Sequence, residues 1–221
     1  LIKDGQVSIN GELAKLGSRV NPERDVVKVG QKRIQSKFTK PSIFMVNKPK
    51  GFTCSNDDPH ADRLIFELLE ARHRNIRLFC AGRLDVDSEG LVILTNDGKL
   101  AHRLTHPSQR VRKKYQVEIN NPLEYDAFQA MLKGFEDEGE FLQLDEIRTK
   151  AGNPVGSTKL EITMGHGKKR EIRRCLQRYR YKVKKLRRTS IGGLRLGKLP
   201  LGTYRDVKDS EIDLLFPKQI S

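Results

Sequence analysis

Three carboxylates fall within five residues, Asp85, Asp87 and Glu89, in a polar stretch between Leu78-Phe79 and the apolar run Leu91-Val92-Ile93-Leu94. Loops pinned by buried strands commonly display catalytic groups, so an aspartate here is a candidate nucleophile or general base. Clustered acids also resemble a cation loop. No His or Cys accompanies them at ligand spacing and the fixed Gly and terminal Glu of an EF-hand are missing, so no metal is expected. A carboxylate pair serving a nuclease or glycosidase, or a plain acidic turn, stays open.

The second chemical feature is cationic. Between His166 and Arg188, twelve Lys and Arg face the single acid Glu171, which places +11 of the formal +15 charge in 23 of 221 residues. Such a density repels itself unless a polyanion screens it, so nucleic acid is the first partner expected and an acidic membrane the second. Ile172, Cys175, Leu176 and Tyr179 recur at i, i+3, i+4 and i+7. This spacing predicts a helix over about 169–179 that buries the stripe and turns Arg170, Arg173, Arg174, Gln177 and Arg178 outward. Gly165 and Gly167 precede it, where free backbone N–H groups and the helix dipole would favour a phosphate. Glu136, Asp137, Glu138 and Glu140 form a separate acidic patch expected to stay clear of phosphate.

These features need a scaffold. Short β-like pieces at Val7–Ile9 and Asp25–Val29, with a turn at Asn10-Gly11, read as a small module over 1–36. Leu1 to Asp4 reads as the end of a helix running into Gly5. A polar, basic linker is expected over 37–41, and a second domain over 42–221. There the pattern predicts a strand at Ile43–Val46, a helix over about 61–72, a strand at 91–95, a helix at 98–104, a strand at 114–119, a helix at 124–133 and a strand at 157–163. Strands and helices alternate without a βαβ period. The expected class is α+β, a mixed and mainly antiparallel sheet with flanking helices.

Composition excludes other classes. With 36% hydrophobic residues the chain can bury a full core, and three cysteines without CxxC spacing exclude a disulfide scaffold or a thiolate zinc site and fit a reducing, cytoplasmic setting. No run approaches the roughly 20 apolar residues of a membrane span. The five histidines, His60, His73, His102, His106 and His166, are dispersed and need no ligand role, although His166 is placed to touch phosphate.

Four ordered segments carry a family resemblance: Asn47-Lys48-Pro49-Lys50-Gly51, Gly82-Arg83-Leu84-Asp85 running on to Leu91, Lys114-Tyr115-Gln116-Val117, and Gly167 to Arg174 with Leu186 and Ile191-Gly192. Together they resemble the ribosomal RNA pseudouridine synthases of the RsuA type, and the 1–36 piece resembles part of an S4-like RNA-binding module. The resemblance implies isomerisation of a flipped-out uridine without cofactor, in ribosomal RNA, by a monomeric cytoplasmic enzyme. It further implies that Asp85 acts on the ribose as nucleophile or base, that Arg173 keeps it ionised with Lys168 and Arg170 as substitutes, and that Tyr115 stacks on the uracil above Leu186. Arg83 would grip phosphate or fill the helical gap, Arg170, Arg174 and Lys168 would bind RNA, and Asn47 and Lys48 would bind substrate and shape its site. The Lys99 to Tyr115 region leans toward large-subunit relatives. Three positions depart from the pattern: His166, Glu171, which would alter the phosphate held, and Arg180 where a helix-ending Gly is usual, so that the helix is expected to end differently. A catalytically inert RNA-binding assembly factor is the competing expectation.

Overall fold

The computed structural model describes residues 1–21, 24–34, 41–56 and 58–216, and divides into two compact units, Leu1–Lys40 and Pro41–Ser221. Apart from Pro41, the expected linker lies outside the described residues.

The first unit holds strands β1 (Val7–Ile9), β2 (Glu12–Leu13), β3 (Val27–Val29) and β4 (Lys32–Ile34) in one antiparallel sheet of order β2-β1-β3-β4. Asn10 and Gly11 both take positive φ, 53° and 95°, which is what a two-residue turn needs to match the strand twist. Leu1 to Asp4 is a turn rather than a helix. Gln6 N–H donates to Leu1 O and Gly5 N–H to Ile2 O, with Gly5 left-handed, the hydrogen-bond pattern that closes a helix end.

The second unit is built on a nine-stranded sheet. Its strands are β5 (Ile43–Lys48), β6 (Phe79–Cys80), β7 (Glu89–Thr95), β8 (Lys113–Ile119), β11 (Glu146–Arg148), β12 (Lys159–Met164), β13 (Val183–Ile191), β14 (Leu194–Arg195) and β15 (Tyr204–Asp206), while β9 (Phe135–Asp137) and β10 (Glu140–Leu142) form a separate hairpin. The path is β11-β12-β8-β13-β7-β5-β15, with β14 on β13 and β6 on β7. Every pairing is antiparallel except β13 with β7. Helices α1 (Ala71–Arg74), α2 (Gly98–Thr105), α3 (Tyr125–Lys133), α4 (Glu171–Arg178) and α5 (Asp209–Ile212) complete an α+β fold.

Period-2 alternation divides the core. Phe44, Val46, Val92 and Leu94 pack into one cluster, whereas Ile43, Met45, Leu91 and Ile93 pack into the other, so β5 and β7 are buried on both faces. Where β13 runs parallel to β7, Gly90 sits beside Arg188 with φ at 109°. A Cβ there would lie 2.2 Å from Arg188 O, so only glycine permits the approach.

Two helical expectations change. The segment expected as one helix over 61–72 is a 3-10 turn at Ile65–Leu68 followed by the short α1, because Leu64 and Leu69 are extended. Its backbone is engaged with Thr53 instead: Thr53 N–H donates to Arg63 O and Ile65 N–H to Thr53 O. Ile65 and Leu69, four apart as on a helix, are buried by docking rather than by helical periodicity. The α4 helix ends as it would with the usual glycine. Arg180 takes φ 63°, with Tyr181 N–H on Leu176 O and Arg180 N–H on Gln177 O, a complete Schellman end closed by the buried Tyr181. A side chain in the left-handed region is strained by about 1 kcal/mol. Arg180→Gly should therefore raise stability by about 1 kcal/mol in chemical denaturation at unchanged slope; a loss of stability would mean that the Arg180 side chain holds the helix end.

Candidate active site

A cleft of about 610 Å³ opens beside the loop that joins β6 to β7. Seven of the residues expected at the site line it: Arg83, Asp85, Tyr115, Lys168, Arg170, Arg173 and Leu186. The sheet sets this geometry. Tyr115 on β8 lies opposite Arg188 on β13, and Val117 lies opposite Leu186, so Tyr115 and Leu186 come from adjacent strands and meet on the same wall. Tyr115 is only 9% exposed, with one edge in the core.

Asp85 stands 35% exposed on the loop, and Arg170 Nη1 is 3.6 Å from its Oδ2. Arg170 also grips Asp87 with both terminal nitrogens, at 3.3 and 3.1 Å. Arg173 reaches Asp87 O at 3.0 Å, Ser88 Oγ at 3.1 Å and the Asp87 carboxylate at 3.4 Å. The guanidinium in ion-pair contact with Asp85 is therefore Arg170, and Arg173 contacts the loop one step further on. Burial alone would raise the Asp87 carboxyl, but the Arg170 hydrogen bonds and the charges of Arg173 and Arg170 outweigh it and hold the group below the usual carboxylate range. Asp87 is thus committed to two arginines and Glu89 lies 3.7 Å from Lys185. This leaves Asp85 without a free carboxylate partner on its own loop for paired-acid hydrolysis.

Beneath the loop lies Lys48, wholly buried, whose Nζ donates to Ser88 O at 2.8 Å, Pro49 O at 3.0 Å and Val86 O at 3.4 Å. Burial lowers its pKa, opposed by the charges of Cys54, Asp87, Asp85 and Glu89. Asn47 is equally buried and donates to Leu199 O at 2.7 Å. Neither lines the cleft. The expectation that they meet substrate is corrected to a supporting role, because β5 is covered on both faces.

The basic helix also departs from expectation. Arg174 is 18% exposed, bound to Asp137 at 2.6 Å and to Glu140 at 2.5 Å. The acidic patch neutralises this arginine, which is neither outward nor in the cleft. Arg173 is likewise mostly covered, at 13%. The backbone N–H groups expected to hold phosphate are partly occupied: Gly165 N–H donates to Asp145 and Lys168 N–H to Glu171. His166 is clamped between the same two carboxylates, at 3.2 Å from Asp145 and 3.0 Å from Glu171, and Glu171 is buried. These departures form a structural brace at the turn into α4 rather than phosphate contacts. Lys168 lines the cleft while its Nζ donates to Phe141 O.

Sequence reasoning missed three lining groups. Lys113 lies two residues from Tyr115 and Arg188 two from Leu186, a strand spacing that would have placed them on the same wall. Cys80 lines the cleft and hydrogen-bonds to the buried Cys54. This bond lowers the pKa of Cys54 and raises that of Cys80. Among the described residues no group of three or more His, Cys, Asp or Glu is placed to hold a metal ion, and no helix is long and apolar enough to cross a membrane.

The cleft therefore gathers a loop carboxylate with an arginine against it, a largely buried tyrosine and several cations at one end of a mixed sheet. The family model described as RNA pseudouridylate synthase matches residues 42–178, and the chain belongs to that family. It is an RNA pseudouridine synthase, an isomerase. An uncharacterised RNA pseudouridine synthase of Aquifex aeolicus is 37% identical over 98% of this chain and 86% of its own length. A ribosomal large subunit pseudouridine synthase B of Vibrio vulnificus is 31% identical over 97% of this chain and 68% of its own. A crystal structure of a pseudouridylate synthase superposes with a TM-score of 0.72 at 30% identity, covering 97% of this chain and 90% of that one.

Proposed function

We propose that this enzyme converts a specific uridine of ribosomal RNA to pseudouridine, without cofactor, as a monomeric cytoplasmic member of the RsuA type whose 1–36 segment is part of an S4-like RNA-binding module. The observation that carries the reading is that Asp85, Tyr115 and Leu186 line one cleft, with Arg170 against the Asp85 carboxylate. A uridine flipped from a loop of RNA, at a cost of a few kcal/mol or less, would stack on Tyr115 over Leu186 and present its ribose to Asp85. Asp85 then works on the sugar, as nucleophile at C1′ or as base, while the uracil turns and rejoins through C5. The exposed Arg83 at the mouth holds the phosphate of the displaced nucleotide. Affinity comes from counterion release along the Lys168 to Arg188 segment, and specificity from RNA shape. The ribosomal substrate, and a preference for the large subunit, are supported by the names of the relatives.

Site-resolved pseudouridine mapping by carbodiimide-stopped reverse transcription tests the reading. Cells that carry the protein should show one stop in ribosomal RNA that is absent from cells lacking it. Identical maps, with the protein still sedimenting with ribosomal particles, would replace the enzyme by an assembly factor.

A further inference from the structure

One wall of the cleft holds two cations to which the reading above gives no part in the chemistry. Lys113 and Tyr115 lie on β8, Leu186 and Arg188 on β13, and all four face the cleft. Arg188 is 2% exposed, with Nε donating to Leu91 O at 2.7 Å and Nη1 to Arg83 O at 3.2 Å. Its Nη2 is buried and has no hydrogen-bond partner among the described residues. Buried donors are almost always paired, and an unpaired donor on a charged group is especially costly, so an orphan on a residue that lines a substrate cleft points to a missing acceptor. Lys113 Nζ lies near the same wall and donates to Val111 O at 2.9 Å, which engages one of its three N–H groups. Burial and the Arg188 cation push its pKa down to about 8. Two like charges sharing a half-dry wall are held apart in energy until an anion sits between them.

We propose that Lys113 and Arg188 form an oxyanion subsite that takes a carbonyl oxygen of the target uracil and stabilises the base while it is detached from the ribose. This rests on the reading that Tyr115 carries the uracil. When N1–C1′ breaks, the bonding pair leaves with the base and spreads onto its carbonyl oxygens. A pair from C5 then closes the bond to C1′, the C5 proton departs and N1 gains a proton, so no oxidant, reductant or donor enters. Donors preorganised where charge develops act in the transition state rather than in binding. Both cations are in place before the base arrives. The same anionic-oxygen chemistry would also suit a phosphate of the flipped nucleotide, and the two sources separate in rate against affinity.

Arg188 ties β13 to β7 and to the catalytic loop, so Lys113 is the residue to change. The experiment compares single-turnover rates at saturating ribosomal RNA fragment, from pH 6 to 10, for wild type, Lys113→Met and Lys113→Arg, with RNA affinity measured alongside. Arg188 from β13 acts directly on Lys113, and the other titratable and charged groups lining the cleft are Tyr115 on its own strand, Cys80, Arg83 and Asp85 on the β6–β7 side, His106 after α2, and His166, Lys168, Lys169, Arg170, Glu171 and Arg173 at the start of α4. Because the cation is the working form, the wild-type rate should fall as pH rises through about 8. Lys113→Met should lose about 10-fold to 100-fold in rate near pH 7 and lack this alkaline limb, with affinity nearly unchanged. Lys113→Arg should recover most of the rate and move the limb to higher pH. A wild-type rate that climbs through pH 8, with the climb lost in Lys113→Met, would make Lys113 a neutral base at C5 and overturn the subsite. Weakened binding at an unchanged rate would make it a phosphate contact, and no effect would dismiss it. Failure of the underlying reading is distinct, since Tyr115→Ala would then keep the wild-type single-turnover rate whatever Lys113→Met does.

Discussion

Asp85→Ala should lower the rate of uridine isomerisation by on the order of a thousandfold or more while changing RNA affinity by less than about threefold. The geometry separates the two quantities. Asp85 is the carboxylate on its loop that faces the cleft, whereas Asp87 is held by Arg170 and Arg173 and Glu89 lies near Lys185. Binding rests on phosphate contacts from Lys and Arg, which the substitution leaves in place, and the loss of one negative charge slightly favours a polyanion. Single-turnover conversion and filter binding on the same RNA fragment measure the pair. A parallel loss of rate and affinity would show that Asp85 shapes the RNA surface and does not act on the ribose. RNA strand breaks or free uracil from the wild-type protein would revive the hydrolytic alternatives, since isomerisation preserves chain length and mass.

Four of the nine strands of the large sheet, β5, β7, β8 and β12, were legible because they alternate or run apolar without interruption, whereas the central β13, rich in Lys and Arg, was not. Leu91 to Leu94, Lys114 to Ile119 and Ile43 to Val46 all lie within observed strands. Asp85 and the cations at the start of α4 were legible as well, because a polar loop against buried strands and a stripe of cations announce themselves locally, whereas Tyr115, Leu186 and Arg83 were named by the family resemblance alone and Lys113, Arg188 and Cys80 were missed. Partners were not legible. That Arg174 pairs with Asp137 and Glu140, 34 to 37 positions away, depends on where the β9–β10 hairpin lands, and no local pattern encodes this. The same holds for His166 between Asp145 and Glu171, and for Arg170 rather than Arg173 against Asp85. Periodicity failed at 61–72, where apolar spacing was satisfied by docking on Thr53. Propensity also misled at Arg180, where the Schellman hydrogen bonds and the burial of Tyr181 keep a left-handed arginine in place.

Lys48→Met should leave the protein folded, about 1 to 2 kcal/mol less stable, yet lower the turnover rate at saturating RNA by on the order of a hundredfold. Burying an ammonium is unfavourable in itself, as the lowered pKa of Lys48 records. Methionine keeps the stem and removes that penalty, which offsets part of the lost hydrogen bonding. What it cannot replace is position. The Nζ ties Val86 O and Ser88 O, on either side of Asp87, to Pro49 O on the neighbouring segment. Gly51 N–H keeps its bond to Val86 O, so the loop stays attached but loses its central tie. A carboxylate displaced by about 1 Å from C1′ is enough for a hundredfold loss in rate. Thermal melting, affinity and turnover together decide the case. Reduced stability with full turnover would make Lys48 a packing residue, and weakened RNA binding at full turnover would make it a substrate ligand. Burial excludes direct contact with RNA, so the geometry leaves turnover as the quantity that must fall.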